Sequence, residues 1–181
     1  MNELLGGRFH QDAEALSPSF YATSSSASVD VALVEQLCEI ASSGEEAVRI
    51  CLHTSPAQSL HSMIIAKPKS TYSQPRMHPT KDKVFVPVSG SLAVVLFSLS
   101  GDVLGVHLLS SIDSVAVYVP SGVFHTDFAV SPVAAYHEAI TGPYDPQSDD
   151  RVYAAFAPDQ ADQDAGKRFN DQLLKLVHNG V

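Results

Sequence analysis

The chain has no tryptophan and only two cysteines, Cys38 and Cys51, in 181 residues. Two thiols cannot build a disulfide framework in a chain of this length, so a disulfide-stapled secreted scaffold is excluded and both are expected to be reduced. Basic residues are also few: 11 Lys and Arg stand against 20 Asp and Glu, a formal net charge of −9. Nucleic acids and anionic membranes demand a cationic face, and this balance argues against both as general partners. It leaves room for a small cationic pocket inside an acidic shell. No window approaches the ~18 apolar residues of a membrane span. The first residues carry Glu3, Asp12 and Glu14 and no apolar run, unlike a secretory leader. A cytoplasmic protein is expected.

A hydrophobic fraction of 45% is enough for one sizeable core. Residues 1–28 end in Ser24-Ser25-Ser26-Ala27-Ser28 and have little to bury, which predicts a poorly ordered segment. Residues 29–44 read as an amphipathic helix capped by Asp30, with Val31, Val34, Leu37, Cys38 and Ile40 on one face and Gly44 after its end. From residue 45 to 160 the period becomes strand-like. Apolar runs at Val48–His53, Met63–Ala66, Val84–Val88, Ser91–Phe97, Val103–Leu109, Ser114–Val119, His125–Val130 and Val133–Ile140 are separated by Gly- and Pro-rich turns. Many short strands at this spacing predict an all-β sandwich or barrel. Helical spacing returns at Phe169, Leu173, Leu176 and Val177, within a segment 161–181 that predicts a helix from Asp162 to His178.

Two stretches carry the candidate chemistry. The first is Arg76-Met77-His78 followed by Asp82-Lys83 and closed by Gly90; the second is Pro120-Ser121-Gly122-Val123-Phe124-His125. Residues two apart on a strand share a face, so Arg76 and His78 are expected to point the same way, into a barrel. Both stretches resemble the two cupin motifs: a His-x-His pair with a later Glu, then Pro-x-Gly-x-x-His. Further matches run through Arg49-Ile50-Cys51-Leu52-His53, Tyr72, Pro75, Phe85, Gly90–Phe97, Glu138, Gly142-Pro143-Tyr144-Asp145-Pro146 and Phe156-Ala157-Pro158. Over residues 45–160 the chain is similar to the WbuC-like cupin family, often encoded among surface-polysaccharide genes. That resemblance implies a single cupin (double-stranded β-helix, or jelly-roll) barrel with flanking N- and C-terminal α-helices, and a homodimer.

The departure from the family pattern shapes the functional expectation. Arg76 stands where the first metal-binding His is expected, and Lys83 stands where the Glu is expected. A guanidinium remains protonated and cannot ligate a metal. The first expectation is therefore a cationic floor of Arg76 and Lys83 beside His78 and His125, with Tyr72 and Glu138 as further ligand-binding residues. It would bind an anionic small molecule such as a sugar acid or nucleotide sugar, with His78 or His125 as acid/base. The second is a metal-dependent isomerase or oxygenase holding Zn, Ni or Fe on His78, His125 and a third ligand, Asp82 if the loop turns it inward. The third is a non-catalytic structural or regulatory cupin. His53 and His61 read as structural residues, and the acids Asp145, Asp149 and Asp150 as a solvated turn.

Overall fold

A computed structural model describes residues 7–13, 15, 17–44, 46–145 and 151–179; Pro146, Asp149 and Asp150 lie outside them. The chain begins with two short strands, β1 (Phe9–Asp12) and β2 (Ser19–Ala22), paired antiparallel. The sequence predicts a poorly ordered segment here, and these residues correct it. Phe9, Phe20 and Ala22 are buried beneath α1 (Val31–Ser43), which supplies enough apolar contact to order a strand pair. Helix α1 starts where Asp30 Oδ1 accepts the Leu33 backbone N–H at 2.9 Å. Its buried face is Leu33, Val34, Leu37 and Ala41. Val31, expected on that face, opens the first turn of the helix and is 74% exposed.

The strand-rich middle comprises β3 (Val48–Cys51), β4 (Leu60–Pro68), β5 (Arg76–Met77), β6 (Lys83–Ser89), β7 (Leu92–Phe97), β8 (Val103–Leu109), β9 (Val117–Val119), β10 (Phe124–Ala129) and β11 (Val133–Thr141). A last short strand, β12 (Val152–Tyr153), precedes α2 (Gln163–Asn179). One sheet has seven strands in the order β1-β2-β3-β4-β11-β6-β9, and the other has five in the order β12-β5-β10-β7-β8. Successive strands shuttle between the sheets, the jelly-roll form of the cupin fold. The tight connection from β6 to β7, which carries the chain from one sheet to the other, turns on Gly90, whose φ is +72°. A Cβ there would lie 2.4 Å from Ser131 Oγ and 2.5 Å from Val133 O, so both backbone angle and space require glycine.

Three apolar clusters divide the work. Between the sheets lie Met63, Ile65, Phe85, Leu92, Val94, Leu109, Val117 and Tyr136. Outside the larger sheet, Val48, Ile50, Ile64 and Ala66 meet α1. Outside the smaller sheet, Val95, Phe97, Phe124 and Phe128 meet Leu173 and the partly buried Phe156 and Phe169. Helix α2 begins as Asp162 Oδ1 accepts the Ala165 N–H at 2.9 Å. It comes so close to the barrel that a Cβ on Gly166 would fall 2.2 Å from the Tyr72 ring. Both sheets are thus covered outside by helix and are free to place polar side chains between them.

Candidate functional site

Strand β10 is apolar on its outer face and polar on its inner one. Phe124 and Phe128 pack outward, and His125 and Asp127 alternate with them and point between the sheets. Arg76 on β5 is the direct cross-strand neighbour of His125. Opposite, β11 contributes Tyr136 and Glu138, β6 contributes Lys83 and β4 contributes Lys67. Lys83 lies across from Ile140, two residues from Glu138, so the two side chains meet diagonally on one face.

Two linked charge groups result. Asp127, with no exposed surface, is the hub of the first. Its Oδ2 accepts from Lys67 Nζ and, at 2.9 Å, from Tyr136 O–H; its Oδ1 accepts from Arg76 Nη2 at 3.1 Å. Lys67 Nζ also donates to Ser73 Oγ at 2.9 Å and to the Asp127 carbonyl at 3.0 Å, which occupies all three of its hydrogens. The second group is Lys83 Nζ and Glu138 Oε2, 3.6 Å apart, with the ammonium 5.8 Å from the centre of the Phe85 ring. Burial alone would raise the Asp127 carboxyl, but Lys67 and then Arg76 overcome it and hold it far below its usual value. Burial pulls Lys83 down to about 8, with Glu138 opposing and Arg76 assisting. Tyr136 is driven well above 10, by burial first and by Asp127 next, and stays a neutral donor.

The two histidine rings are 6.1 Å apart, centre to centre. His125 Nδ1 lies 3.1 Å from the Val123 carbonyl, which fixes the proton on that nitrogen and leaves a lone pair on Nε2. Nε2 is buried and has no hydrogen-bond partner among the described residues. Burial, then Lys83 and Arg76, hold His125 neutral, well below its ordinary value. The site therefore offers a neutral imidazole base beside three buried cations (Lys67, Arg76, Lys83) and two buried carboxylates (Asp127, Glu138). With all five ionised, one positive charge is left over.

His78, His125, Arg76, Lys83 and Glu138, expected together from sequence, are all buried or half-buried inside the barrel. Arg76 and Lys83 do not form an open cationic floor, since each meets a carboxylate. Tyr72 is not at the site. It is fully buried against α2, donates its hydroxyl to the Pro158 carbonyl at 2.7 Å and lies edge-on to Phe169. Asp82 does not turn inward, because the Ser121 N–H and the Tyr118 hydroxyl hold its carboxylate outside the barrel. Lys67 and Asp127 escape the sequence reading. Lys67 follows an apolar run and precedes a proline, so it looks like a strand end. The alternation of β10 is the one available signal for Asp127, and a polar residue on a strand ordinarily faces water.

A resident divalent metal does not fit this donor set. Among the described residues no three His, Cys, Asp or Glu side chains are grouped to hold one. His125 has Arg76 and Lys83 beside it where further ligands would stand, and both inner carboxylates are engaged by cations. His53 and His61 form a separate stacked pair, ring centres 4.3 Å apart, bonded to backbone at Ser62 and Pro56.

Comparison with known proteins defines the fold more than the function. A family model described as a domain of unknown function, DUF6016, matches residues 29–109. No curated protein matches the chain. Among solved structures, the capsular polysaccharide assembling protein CapF from Staphylococcus aureus aligns with a TM-score of 0.53 at 15% identity, over 61% of this chain and 30% of CapF. CapF with the inhibitor 3-isopropenyl-tropolone aligns equally well, over 61% of this chain and 32% of that one. Oxalate oxidase in complex with the substrate analogue glycolate aligns at 0.41 and 14% identity, over 52% and 46%. The matched region is about a third of the length of CapF. The chain has the cupin fold. No helix among the described residues is long and apolar enough to cross a membrane.

Proposed function

We propose that the chain is a WbuC-like cupin that binds an anionic sugar, of the hexuronate class, between its sheets. The observation that carries the reading is the uncompensated charge: Lys67, Arg76 and Lys83 against Asp127 and Glu138. A carboxylate entering beside Arg76 completes the balance. Arg76 keeps 16% of its side-chain surface exposed, more than any of the other four, so it marks the approach. Guanidinium forks match carboxylates in two parallel hydrogen bonds, and Arg76 spends Nη2 on Asp127 with other donors remaining. His125 Nε2 is the group suited to accept a proton or hydroxyl hydrogen from the bound sugar. A surface-polysaccharide setting is supported by the family resemblance and by what CapF is described as assembling. A homodimer belongs to the same proposal, and light scattering on the eluting peak tests it.

The binding test is a thermal-shift series with D-galacturonate, D-glucuronate, UDP-glucuronate and the neutral sugars galactose and glucose. A ligand at a hundred times its Kd stabilises by about 2.7 kcal/mol. For a chain of this size that raises Tm by about 5–10 °C. The uronates are expected to produce the rise and the neutral sugars are not. Equal response to both classes would contradict the proposal, and no response to any would favour a non-catalytic structural role.

A further inference from the structure

The two buried lysines are held very differently. Lys67 has an acceptor for each of its three hydrogens, and although burial weakens its hold on a proton, Asp127 beside it opposes that. Lys83 meets one acceptor among the described residues, Glu138 Oε2, at 3.6 Å, beyond hydrogen-bonding length. Its other near surroundings are the Phe85 ring at 5.8 Å, Arg76, which weakens its hold on a proton, and Asp127, which strengthens it. A buried amine against an aromatic ring and beside a second cation, with a carboxylate able to take its proton, has the surroundings of an imine-forming lysine.

We propose that Lys83 condenses with the carbonyl carbon of a small keto or aldehydo acid, with Arg76 holding its carboxylate. Glu138 takes one proton from the Lys83 ammonium. The freed lone pair attacks the carbonyl carbon, a C–N bond forms, and the carbonyl oxygen takes a proton to give a carbinolamine. Its hydroxyl then leaves with a proton as water and a C=N bond remains. The proton that Glu138 took returns to the leaving hydroxyl, one water is released, and no group is oxidised or reduced. The carboxylate contact at Arg76 rests on the anion-binding proposal above, whereas the amine chemistry at Lys83 is tested independently of it.

The experiment is reductive trapping on the whole chain. Pyruvate or glyoxylate is added with sodium cyanoborohydride, followed by intact mass and peptide mapping. One adduct per chain is expected, on Lys83, in at least tenfold excess over the exposed Lys69, Lys167 and Lys175. Lys83→Arg keeps the charge and removes the nucleophile. It should abolish that adduct. Labelling confined to exposed lysines, or spread evenly over all of them, overturns the imine proposal. If Lys83→Arg does not fold, the wild-type map alone decides. A Lys83 adduct in a protein that uronates fail to stabilise upholds the reactive amine and removes the sugar-acid reading. Stabilisation by uronates without a Lys83 adduct does the reverse.

Discussion

Replacing Asp127 with asparagine keeps the shape of the side chain and removes its charge. Lys67 and Arg76 are then buried cations facing a neutral amide, and Tyr136 keeps a weaker acceptor. Breaking a buried pair by neutralising one partner costs about 3–5 kcal/mol. This carboxylate serves two cations, so the upper half of that range is expected. Native domains have only about 5–15 kcal/mol of stability in total, and each kcal/mol shifts Tm by about 2–4 °C at this size. Asp127→Asn should therefore lower Tm by roughly 8–20 °C, with a matching fall in the urea midpoint at unchanged slope. The pH dependence has a definite sign. The folded carboxyl lies far below its ordinary 3.8, so its stabilisation is complete above that value and is lost as pH falls beneath it. The variant should lack that acid limb. Removing the whole group together, as Lys67→Met, Arg76→Met and Asp127→Leu, should recover much of the loss, because well-packed apolar replacements of buried ion pairs are often neutral. A loss below about 1 kcal/mol for Asp127→Asn, the range of an exposed ion pair, would refute the claim that Asp127 is the counter-charge of the site.

Three further outcomes follow from other parts of the fold. Burial and the neighbouring His61 pull His53 down from 6.5 to about 4, so the pair contributes stability above pH 6.5 that drains away as pH falls toward 4. Urea midpoints across that range should decline in the wild type and decline less in His53→Gln. Gly166→Ala puts a methyl group into the Tyr72 ring. Overpacking of this kind costs about 1–3 kcal/mol, which outweighs the gain of about 1 kcal/mol in helix propensity, and calorimetric unfolding should show a net loss. Arg76→His with Lys83→Glu converts both departed positions to the metal-binding pattern beside His78 and His125. Titration with Zn or Ni should reveal tight binding in that double variant and none comparable in the wild type; a folded double variant that binds neither would displace Arg76 and Lys83 from the motif.

Much of this architecture is visible in the chain before any coordinates. Strand runs at residues 84–88, 91–97, 103–109 and 133–140 fall on β6, β7, β8 and β11, because alternation and glycine turns are local signals. The inward aim of Arg76, Lys83, His78 and His125 follows from motif spacing and strand period. What stays hidden depends on contacts between distant residues. Phe9 and Phe20 order the first strands through α1, which no local pattern reveals. Asp127 looks like an outward polar residue until β10 is known to be covered by α2 on its other face. Tyr72 matches a family position, yet the close approach of Gly166 makes it a strut between barrel and helix. The neutralisation of Arg76 and Lys83 likewise required knowing which carboxylates the sheets bring opposite them.

The anion site is tested most directly by a calorimetric titration of the wild-type protein with D-galacturonate at pH 7 and pH 9, beside Lys83→Gln at pH 7. Lys83 carries its charge below about 8 and loses it above, so anion binding should weaken at pH 9 and weaken similarly in Lys83→Gln at pH 7. Saturable binding with those two losses is the predicted result. Binding of equal strength in all three titrations, or none in the wild type at pH 7, would contradict the claim that the buried cations between the sheets form an anion site.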